Sequence, residues 1–262
     1  MLENNMTREK LWSNLTAPQL RELAESDATV LLPIGSTEQH GGHLPTGVDY
    51  FLADEVCRRT ALLADPLPIV VAPPIWCGLA EHHMPFGGTL TLSLNTLHAL
   101  LRDVCRSILR AGFRHILLVN GHGGNVTALN ALVNELTSEL SASLAVTSYF
   151  TAGSHVIARV LQTQQQIMHA CEGETSMALA AFPELVRTAE MAQAVGPAIS
   201  LQSEDSSPIY HSVPFDSIAP RGVAGDARAA TGDKGEQLLD GCATALADLL
   251  RAGVWRNGQE TS

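Results

Sequence analysis

The feature that most constrains the fold of this chain is an alternation of short apolar runs with longer helical patterns. Four runs rich in β-branched residues are predicted to be buried strands, at 29–34, 68–72, 115–120 and 144–149. Helical periodicity covers residues 49–63, 95–111, 125–140, 174–181 and 233–251. Strands that alternate with helices predict a mostly parallel sheet covered on both faces, a three-layer α/β/α sandwich.

No repeat, low-complexity segment or linker divides the sequence, and 262 residues are enough for a domain with a substantial core. We therefore expect a single domain over residues 1–262. Asn95 is a candidate N-cap, Gly112 stands where a helix C-terminus is commonly closed, and 202–208 is expected to be a surface loop.

The composition narrows the class of partner and the compartment. A net charge of -11 without a cluster of Lys and Arg argues against nucleic acid or an anionic membrane as partner. The N-terminus lacks the pattern of a secretory signal, and the most apolar stretch, 61–80, contains Asp65 and four prolines, so a membrane span is not expected. Five cysteines without C-x-x-C spacing favour a reducing cytoplasm.

The segment that follows the first predicted strand carries metal-binding side chains. Glu38 and His40 are two residues apart, so an extended backbone directs both side chains to the same side. Asp49 follows after a glycine-rich excursion that is long enough to turn the chain back. Carboxylates with imidazole suit Zn, Mn, Fe or Co. An ordinary polar loop is the alternative interpretation.

A second segment, Asn120-Gly-His-Gly-Gly-Asn125, joins a predicted strand to a predicted helix. His122 stands at the end of the strand, where it is a candidate ligand, and the glycines allow close approach of the backbone. A phosphate-binding turn in a nucleotide-binding protein is the rival interpretation. The absence of the two common nucleotide-binding fingerprints, G-x-G-x-x-G and G-x-x-x-x-G-K-[ST], weakens it.

A third segment, residues 169–177, combines His169, Glu172 and Glu174 just before an apolar helix. A carboxylate near a helix start is also favoured by the helix dipole, which is the structural alternative for Glu174. Either glutamate can serve as a ligand; we favour Glu174, with Glu172 behind it or as a proton carrier. His43, His82 and His83 stay unassigned, while His98, His115, His155 and His211 are interpreted as structural or surface residues.

Taken together, the three segments resemble the creatininase family of amidohydrolases. The resemblance also includes Gly88-Thr89, Gly222-Val223-x-Gly225-Asp226 and Lys234-Gly235-Glu236, in the same order along the chain. It implies the fold of that family and a homo-oligomer, expected to be a hexamer. It also implies two divalent metal ions, with Zn the first expectation and Mn or Fe as alternatives.

The resemblance assigns a role to each candidate residue. Glu38, Asp49 and His122 would hold one ion, His40 and Glu174 the other, with Asp49 shared and a bridging hydroxide as nucleophile. His169 would donate a proton to the leaving nitrogen. Gly123, Gly124 and Phe150 stand at substrate-binding positions, where the namesake enzyme of the family carries tyrosine, glutamate and tryptophan.

These departures argue against creatinine as the substrate. The Gly-His-Gly-Gly-Asn form resembles branches of the family that deformylate a formamidopyrimidine nucleotide or trim the mycofactocin precursor peptide. We expect hydrolysis of a non-peptide C–N bond in a small amide, cyclic or open-chain, or in a formamide. A peptidase of the mycofactocin type, and a nucleotide- or metal-binding module without turnover, are the alternatives.

Overall fold

Four parallel strands form the sheet of the computed structural model, which describes residues 10–199 and 213–253. They are β1 (Thr29–Ile34), β2 (Ile69–Val71), β3 (His115–Asn120) and β4 (Ser143–Ser148), in the spatial order β2-β1-β3-β4. All four predicted strands are confirmed, with ends that differ by one residue at most. The predicted surface loop at 202–208 lies outside the described residues.

The five predicted helices are also confirmed. The described helices are α1 (Ala17–Glu25), α2 (Val48–Leu63), α3 (Leu94–Arg110), α4 (Val126–Leu140), α5 (Tyr149–Ala152), α6 (Ser154–Val160), α7 (Glu172–Ala181), α8 (Phe215–Ile218) and α9 (Gly232–Ala252). The prediction of Asn95 as an N-cap is wrong. Ser93 occupies that position, where its hydroxyl accepts a hydrogen bond from the backbone N–H of Thr96 at 3.2 Å.

The sheet separates two apolar cores because successive strand residues point to opposite faces. Val30, Leu32 and Ile34 pack into the core that contains the buried faces of α3 and α4. Leu31 and Val119 belong to the other core, with buried residues of α2, α7 and α9. Helices therefore cover both faces, and the predicted α/β/α sandwich is confirmed; a single domain over residues 1–262 stays a prediction.

The loops after β1 and β3 leave the sheet side by side. Ile34 lies opposite Asn120 in the parallel register, and the N–H of Gly121 donates to the carbonyl oxygen of Ile34 at 2.8 Å. A side chain at Gly121 would overlap the carbonyl oxygen of Asp49, and one at Gly35 would overlap the backbone of Tyr50. The two glycines thus let the first turn of α2 lie directly against the strand ends.

Helix α9 lies against α2 and α7, and the Lys234-Gly235-Glu236 motif forms part of these contacts. The Glu236 carboxylate pairs with Arg59 of α2 at 2.6 Å. Gly235 faces the backbone of α7, where a methyl group would overlap the carbonyl oxygen of Ser176. This motif therefore acts through helix packing on the face of the sheet that carries α7.

None of the described helices is long and apolar enough to cross a bilayer. All five cysteines are free thiols and buried. The cytoplasmic location inferred from the cysteines stays a prediction.

Gly235→Ala tests the close approach of α9 to α7. Alanine usually stabilises a helix interior relative to glycine by about 1 kcal/mol. Here we expect overpacking to cost about 1–3 kcal/mol instead and to lower the melting temperature by several degrees. Gly232→Ala is the matched control, because the nearest atom to its added methyl group lies 3.8 Å away. Calorimetry that finds Gly235→Ala as stable as Gly232→Ala would contradict this packing.

Candidate metal centre

The five side chains predicted as ligands meet at the carboxyl edge of the sheet. Each is buried, with at most 4% of its surface exposed. They are Glu38, His40, Asp49, His122 and Glu174. They come from four positions in the fold: Glu38 and His40 from the loop after β1, Asp49 from the first turn of α2, His122 from the loop after β3 and Glu174 from the first turn of α7.

The loop after β1 is held in a shape that returns Asp49 to the cluster. The N–H of Glu38 donates to the carbonyl oxygen of Thr46 at 2.9 Å, which closes the excursion between them. Helix α2 then begins at Val48, so Asp49 lies in its first turn, where the helix dipole favours a carboxylate. The dipole alone does not explain its burial beside two histidines.

Asp49 lies between the two histidines that are candidate ligands. Its Oδ1 is 3.1 Å from His40 Nε2, and its Oδ2 is 3.0 Å from His122 Nδ1. Glu38 Oε2 lies 3.2 Å from the same nitrogen of His122, and Glu174 Oε2 lies 3.9 Å from His40 Nε2. One carboxylate thus directs a different oxygen to each histidine, the arrangement expected of a ligand shared by two ions.

The remaining nitrogen of each histidine faces a backbone carbonyl oxygen. His122 Nε2 lies 3.0 Å from the carbonyl oxygen of Leu79, and His40 Nδ1 lies 3.1 Å from that of Glu38. A carbonyl oxygen only accepts, so these nitrogens carry the ring hydrogens. The lone pairs of both rings are therefore directed into the cluster, as metal ligation requires.

Two asparagines shape the turn that presents His122. Asn120 donates to the carbonyl oxygen of His122 at 2.7 Å and accepts from its N–H at 3.1 Å. Asn125 donates to the carbonyl oxygen of Gly35 at 3.1 Å and accepts from the N–H of Leu79 at 2.9 Å. The Asn-Gly-His-Gly-Gly-Asn motif thus ties the loops after β1 and β3 together around the ligand.

The chemistry of the cluster fits divalent cations. Within the described part of the chain, both oxygens of Glu38, Asp49 Oδ2 and His40 Nε2 are buried without a hydrogen bond. Leaving three carboxylates uncompensated in a buried site costs several kcal/mol per ion. The histidine nitrogens and carboxylate oxygens lie 3.0–3.2 Å apart but are not aligned as hydrogen bonds. Two atoms that each bind the same ion at about 2.0–2.2 Å lie at such a distance from each other.

Proton affinities in the cluster reflect the same crowding of charge. Burial would lower the pKa of His40, but the carboxylates of Asp49, Glu174 and Glu38 outweigh it and raise that pKa to about 9. Burial raises the pKa of Glu174 to about 8, with His40 acting against the rise and Asp49 adding to it. The cluster therefore attracts positive charge, as protons or as metal ions.

Glu174 and Glu172 occupy different environments although both lie in the first turn of α7. Glu174 faces His40 and accepts from the N–H of Ala170, whose backbone has a positive φ of 53°. Glu172 points elsewhere and accepts hydrogen bonds from Thr163 Oγ1 at 2.7 Å and Lys234 Nζ at 2.6 Å.

This geometry corrects the interpretation of Glu172 as a proton carrier. Although burial alone would raise its pKa, the bonds from Lys234 and Thr163 lower it, so the carboxylate is held in its charged form. Its oxygens also accept from the backbone N–H groups of Gln162 and Thr163. Glu172 instead fastens the chain before α7 to α9.

Other histidines lie beside the ligands. His169, predicted as the proton donor, places Nδ1 3.5 Å from Glu38 Oε1, and His83 Nε2 lies 3.2 Å from the same oxygen. His43 is buried and pairs with Thr175 at 2.8 Å, while the His82 ring stacks on that of His122. The sequence left His83 unassigned, although its position before the Gly88-Thr89 motif was a usable signal.

A cavity of about 220 Å³ opens beside the cluster. Glu174, Gly123 and Phe150 line it, so two of the three predicted substrate-binding positions lie next to a candidate ligand. Gly124 is not among the lining residues. A side chain there would overlap the His122 ring, so Gly124 makes room for a ligand rather than for substrate.

A parallel α/β fold with buried carboxylates and histidines at its carboxyl edge is typical of metal-dependent hydrolases. The chain belongs to the creatininase family: the family model, described as creatinine amidohydrolase, matches residues 13–250. The predicted family resemblance is thereby confirmed.

Two relatives show how widely the family extends. The chain is 32% identical over 242 residues to the mycofactocin precursor peptide peptidase of Mycobacterium ulcerans (strain Agy99), covering 86% of this chain and 87% of the relative. It is 29% identical over 245 residues to creatinine amidohydrolase of Pseudomonas putida, covering 87% and 91%.

Solved structures support the fold and the metal chemistry of the family. A manganese creatininase superimposes with a TM-score of 0.79 at 27% identity over 93% of this chain and 98% of that chain. A creatininase variant described as the Zn–Zn type gives 0.78 at 27% identity, with the same coverage. These related structures hold the metals that the ligand set of this chain fits.

Glutamine substitutions separate the two glutamates of α7. Glu174→Gln removes an anionic ligand, so we expect bound metal to fall from about two ions per chain toward one, together with activity. Glu172→Gln should keep both ions and lower the melting temperature, because Lys234 loses its buried partner at a cost of about 1–3 kcal/mol. Elemental analysis of the purified, zinc-reconstituted variants measures the first effect.

Asp49→Asn is the control for this pair, since a shared ligand should weaken both ions together. Metal loss in Glu172→Gln with full occupancy in Glu174→Gln would reverse the assignment.

Proposed function

We propose that the protein is a dinuclear metal-dependent amidohydrolase that hydrolyses a non-peptide C–N bond in a small amide or formamide. The observation that carries the proposal is a buried cluster of five candidate metal-binding side chains, one of which, Glu174, also lines a small cavity. Zn is the first expectation for both ions, with Mn or Fe as alternatives. Family membership supports hydrolysis as the reaction.

The chain's own residues supply binding, orientation and proton transfer. Glu38, Asp49 and His122 would hold one ion, and His40 and Glu174 the other, with Asp49 shared. When bound, such ions lower the pKa of water toward about 7 and polarise a carbonyl oxygen. His169, whose Nδ1 lies 3.5 Å from Glu38 Oε1, would take a proton from the attacking water and pass it to the leaving nitrogen as the C–N bond breaks.

The cavity limits the size and charge of the substrate. About 220 Å³ corresponds to roughly seven water molecules, which suits a compact molecule rather than a drug-sized ligand. Its described lining includes Thr151, Ser154 and Gln166 as neutral hydrogen-bonding groups, with Phe150 as an apolar surface, and neither Lys nor Arg. Apart from the proposed metal ions, the described lining offers no cation to an anionic group, so we propose an uncharged substrate.

A peptidase is the second candidate, favoured by the similarity to mycofactocin precursor peptide peptidases. A terminal amide of a peptide can enter the cavity while the remainder lies outside it. The third possibility, a binding module without turnover, gives no use to His169 or to the cavity beside the ligands. In a nucleotide-binding version, Gly123 and Gly124 would hold phosphate, but they directly follow His122, whose ring faces two carboxylates.

A substrate panel tests the proposal with the zinc- or manganese-reconstituted protein. We expect hydrolysis of small uncharged cyclic amides or formamides, and kcat/KM at least about tenfold lower for analogues of the same size that carry a carboxylate. Release of amine or acid, followed by mass spectrometry, measures turnover. Cleavage confined to peptides would favour the second candidate, and metal binding without turnover of any substrate would favour the third.

Ser154→Arg adds a cation at the rim of the cavity and should reduce the discrimination against the carboxylate analogues. His155→Arg adds the same charge one residue further along α6, outside the lining residues, and should leave the discrimination unchanged. Equal behaviour of the two variants would show that charge in the cavity does not select the substrate.

Assembly into a homo-oligomer, by family resemblance a hexamer, stays a prediction. Exposed apolar side chains such as Trp76 (52% exposed) and Leu100 (37% exposed), which line a second, apolar cavity, favour burial against another copy. Light scattering at micromolar concentration should give a mass several times the 27.9 kDa of the chain. A monomer would contradict the prediction and leave the metal centre unaffected.

A further inference from the structure

Gln39 lies between two proposed ligands in the chain, but its side chain contacts other groups. The amide Oε1 accepts from the backbone N–H of Gly41 at 2.9 Å, and the amide Nε2 lies 2.9 Å from His83 Nδ1. A backbone N–H only donates, so the amide atom facing Gly41 must be the oxygen. The NH₂ end is therefore directed at the histidines, and its orientation follows from the contact with Gly41.

This orientation determines where His83 carries its proton. Because the amide NH₂ only donates, His83 Nδ1 accepts, and the hydrogen of the neutral ring is on Nε2. Nε2 lies 3.2 Å from Glu38 Oε1, among atoms whose spacing would otherwise suit a metal ion. A ring nitrogen that carries hydrogen has no lone pair for a metal, so His83 lies beside the Glu38 carboxylate without being a ligand.

The main chain of Gln39 determines the proton position on His169. His169 Nε2 lies 2.8 Å from the carbonyl oxygen of Gln39, which only accepts, so Nε2 carries the hydrogen. The amide Nε2 of Gln39 is also 2.9 Å from this nitrogen, and one of its two hydrogens goes to His83; because the carbonyl oxygen is the nearer partner, we assign the hydrogen between His169 and Gln39 to His169 Nε2. His169 Nδ1 is left with its lone pair, 3.5 Å from Glu38 Oε1.

We infer that Gln39 is a positioning residue that sets the proton positions on two histidines, through its side chain on His83 and through its backbone on His169. His169 thereby faces the metal centre as a proton acceptor, and His83 is kept from competing for metal. The consequence for turnover rests on the proposed hydrolase function. The proton positions themselves are measurable without substrate.

Two motifs that bind no ligand hold Gln39 in place. Thr89 Oγ1 accepts from the backbone N–H of Gln39 at 3.2 Å and donates to the carbonyl oxygen of His83 at 3.4 Å. Gly222 adopts a positive φ of 68° and lies so close that a side chain would overlap the amide oxygen of Gln39. The Gly88-Thr89 and Gly222-Val223 motifs therefore both help to hold Gln39 in place.

Solid-state ¹⁵N NMR of histidine-labelled, zinc-loaded protein reads which ring nitrogens carry hydrogen, and it is insensitive to the size of an oligomer. His83→Gln and His169→Gln identify the two signals. We expect hydrogen on Nε2 and none on Nδ1 for both rings in the unaltered protein. Hydrogen on Nδ1 of His83, or on Nδ1 of His169, would overturn the inference whatever the activity of the enzyme.

Gln39→Glu replaces the donating NH₂ with an accepting oxygen of the same size. The hydrogen on His83 should move to Nδ1, while that on His169 stays on Nε2, because its partner is main chain. With the His83 lone pair now facing Glu38, we expect kcat to fall about 10–100-fold, as for other groups that orient metal ligands. Gln237→Glu, on the exposed face of α9, is the matched control and should change neither spectrum nor kcat.

Gly222→Ala provides a second variant in case the buried carboxylate introduced by Gln39→Glu prevents folding. Its methyl group should displace the Gln39 amide and weaken the hydrogen bond to His83, giving a mixture of His83 proton positions in the spectrum. An unchanged His83 signal in both Gln39→Glu and Gly222→Ala would refute the role of the side chain. Altered spectra with unchanged kcat would confine the role to proton placement and would contradict its importance for catalysis.

Discussion

Three carboxylates buried within a few ångströms of one another are the constraint on which the rest of this structure depends. Glu38, Asp49 and Glu174 repel each other in a region that water does not screen, and His40 and His122 alone do not neutralise them as uncharged ligands. Divalent cations remove this cost, so folding and metal binding are expected to be coupled. The loops at the carboxyl edge of the sheet therefore adopt conformations that bring these oxygens together.

Much of the fold was predictable because it follows from local patterns. The apolar runs that became β1 and β3 are buried on both faces, which is why they read as continuous hydrophobic segments. The helices between them carry clear periodicity, and their ends were placed within two residues. Of the missed elements, α1 buries only Ala24 but does carry a start signal, since Thr16 and Gln19 form a capping box, whereas α5 and α6 are too short for periodicity to be recognised.

The candidate ligands Glu38, His40 and His122 could also be proposed from the sequence, because extended spacing and strand ends mark them without knowledge of distant contacts. The roles of Glu172 and Gln39 were not accessible in this way. Both depend on partners far away in sequence, such as Lys234 for the first and His83 and His169 for the second. Successive residues of a helix diverge by about 100°, so Glu172 and Glu174, two positions apart, point to nearly opposite sides and reach different environments from almost the same place in the chain.

The motifs outside the ligand set hold the segments that carry the candidate ligands in position. A metal centre needs ligand atoms held within about half an ångström, and residues that touch no ligand directly provide that precision. Lys234 and Gly235 bring α9 against α7, and the bond from Lys234 to Glu172 anchors the turn from which Glu174 projects. Thr89 and Gly222 act on the other side, through Gln39. Substitution at these positions would therefore alter the site through the geometry of its supports, while every ligand remained in the sequence.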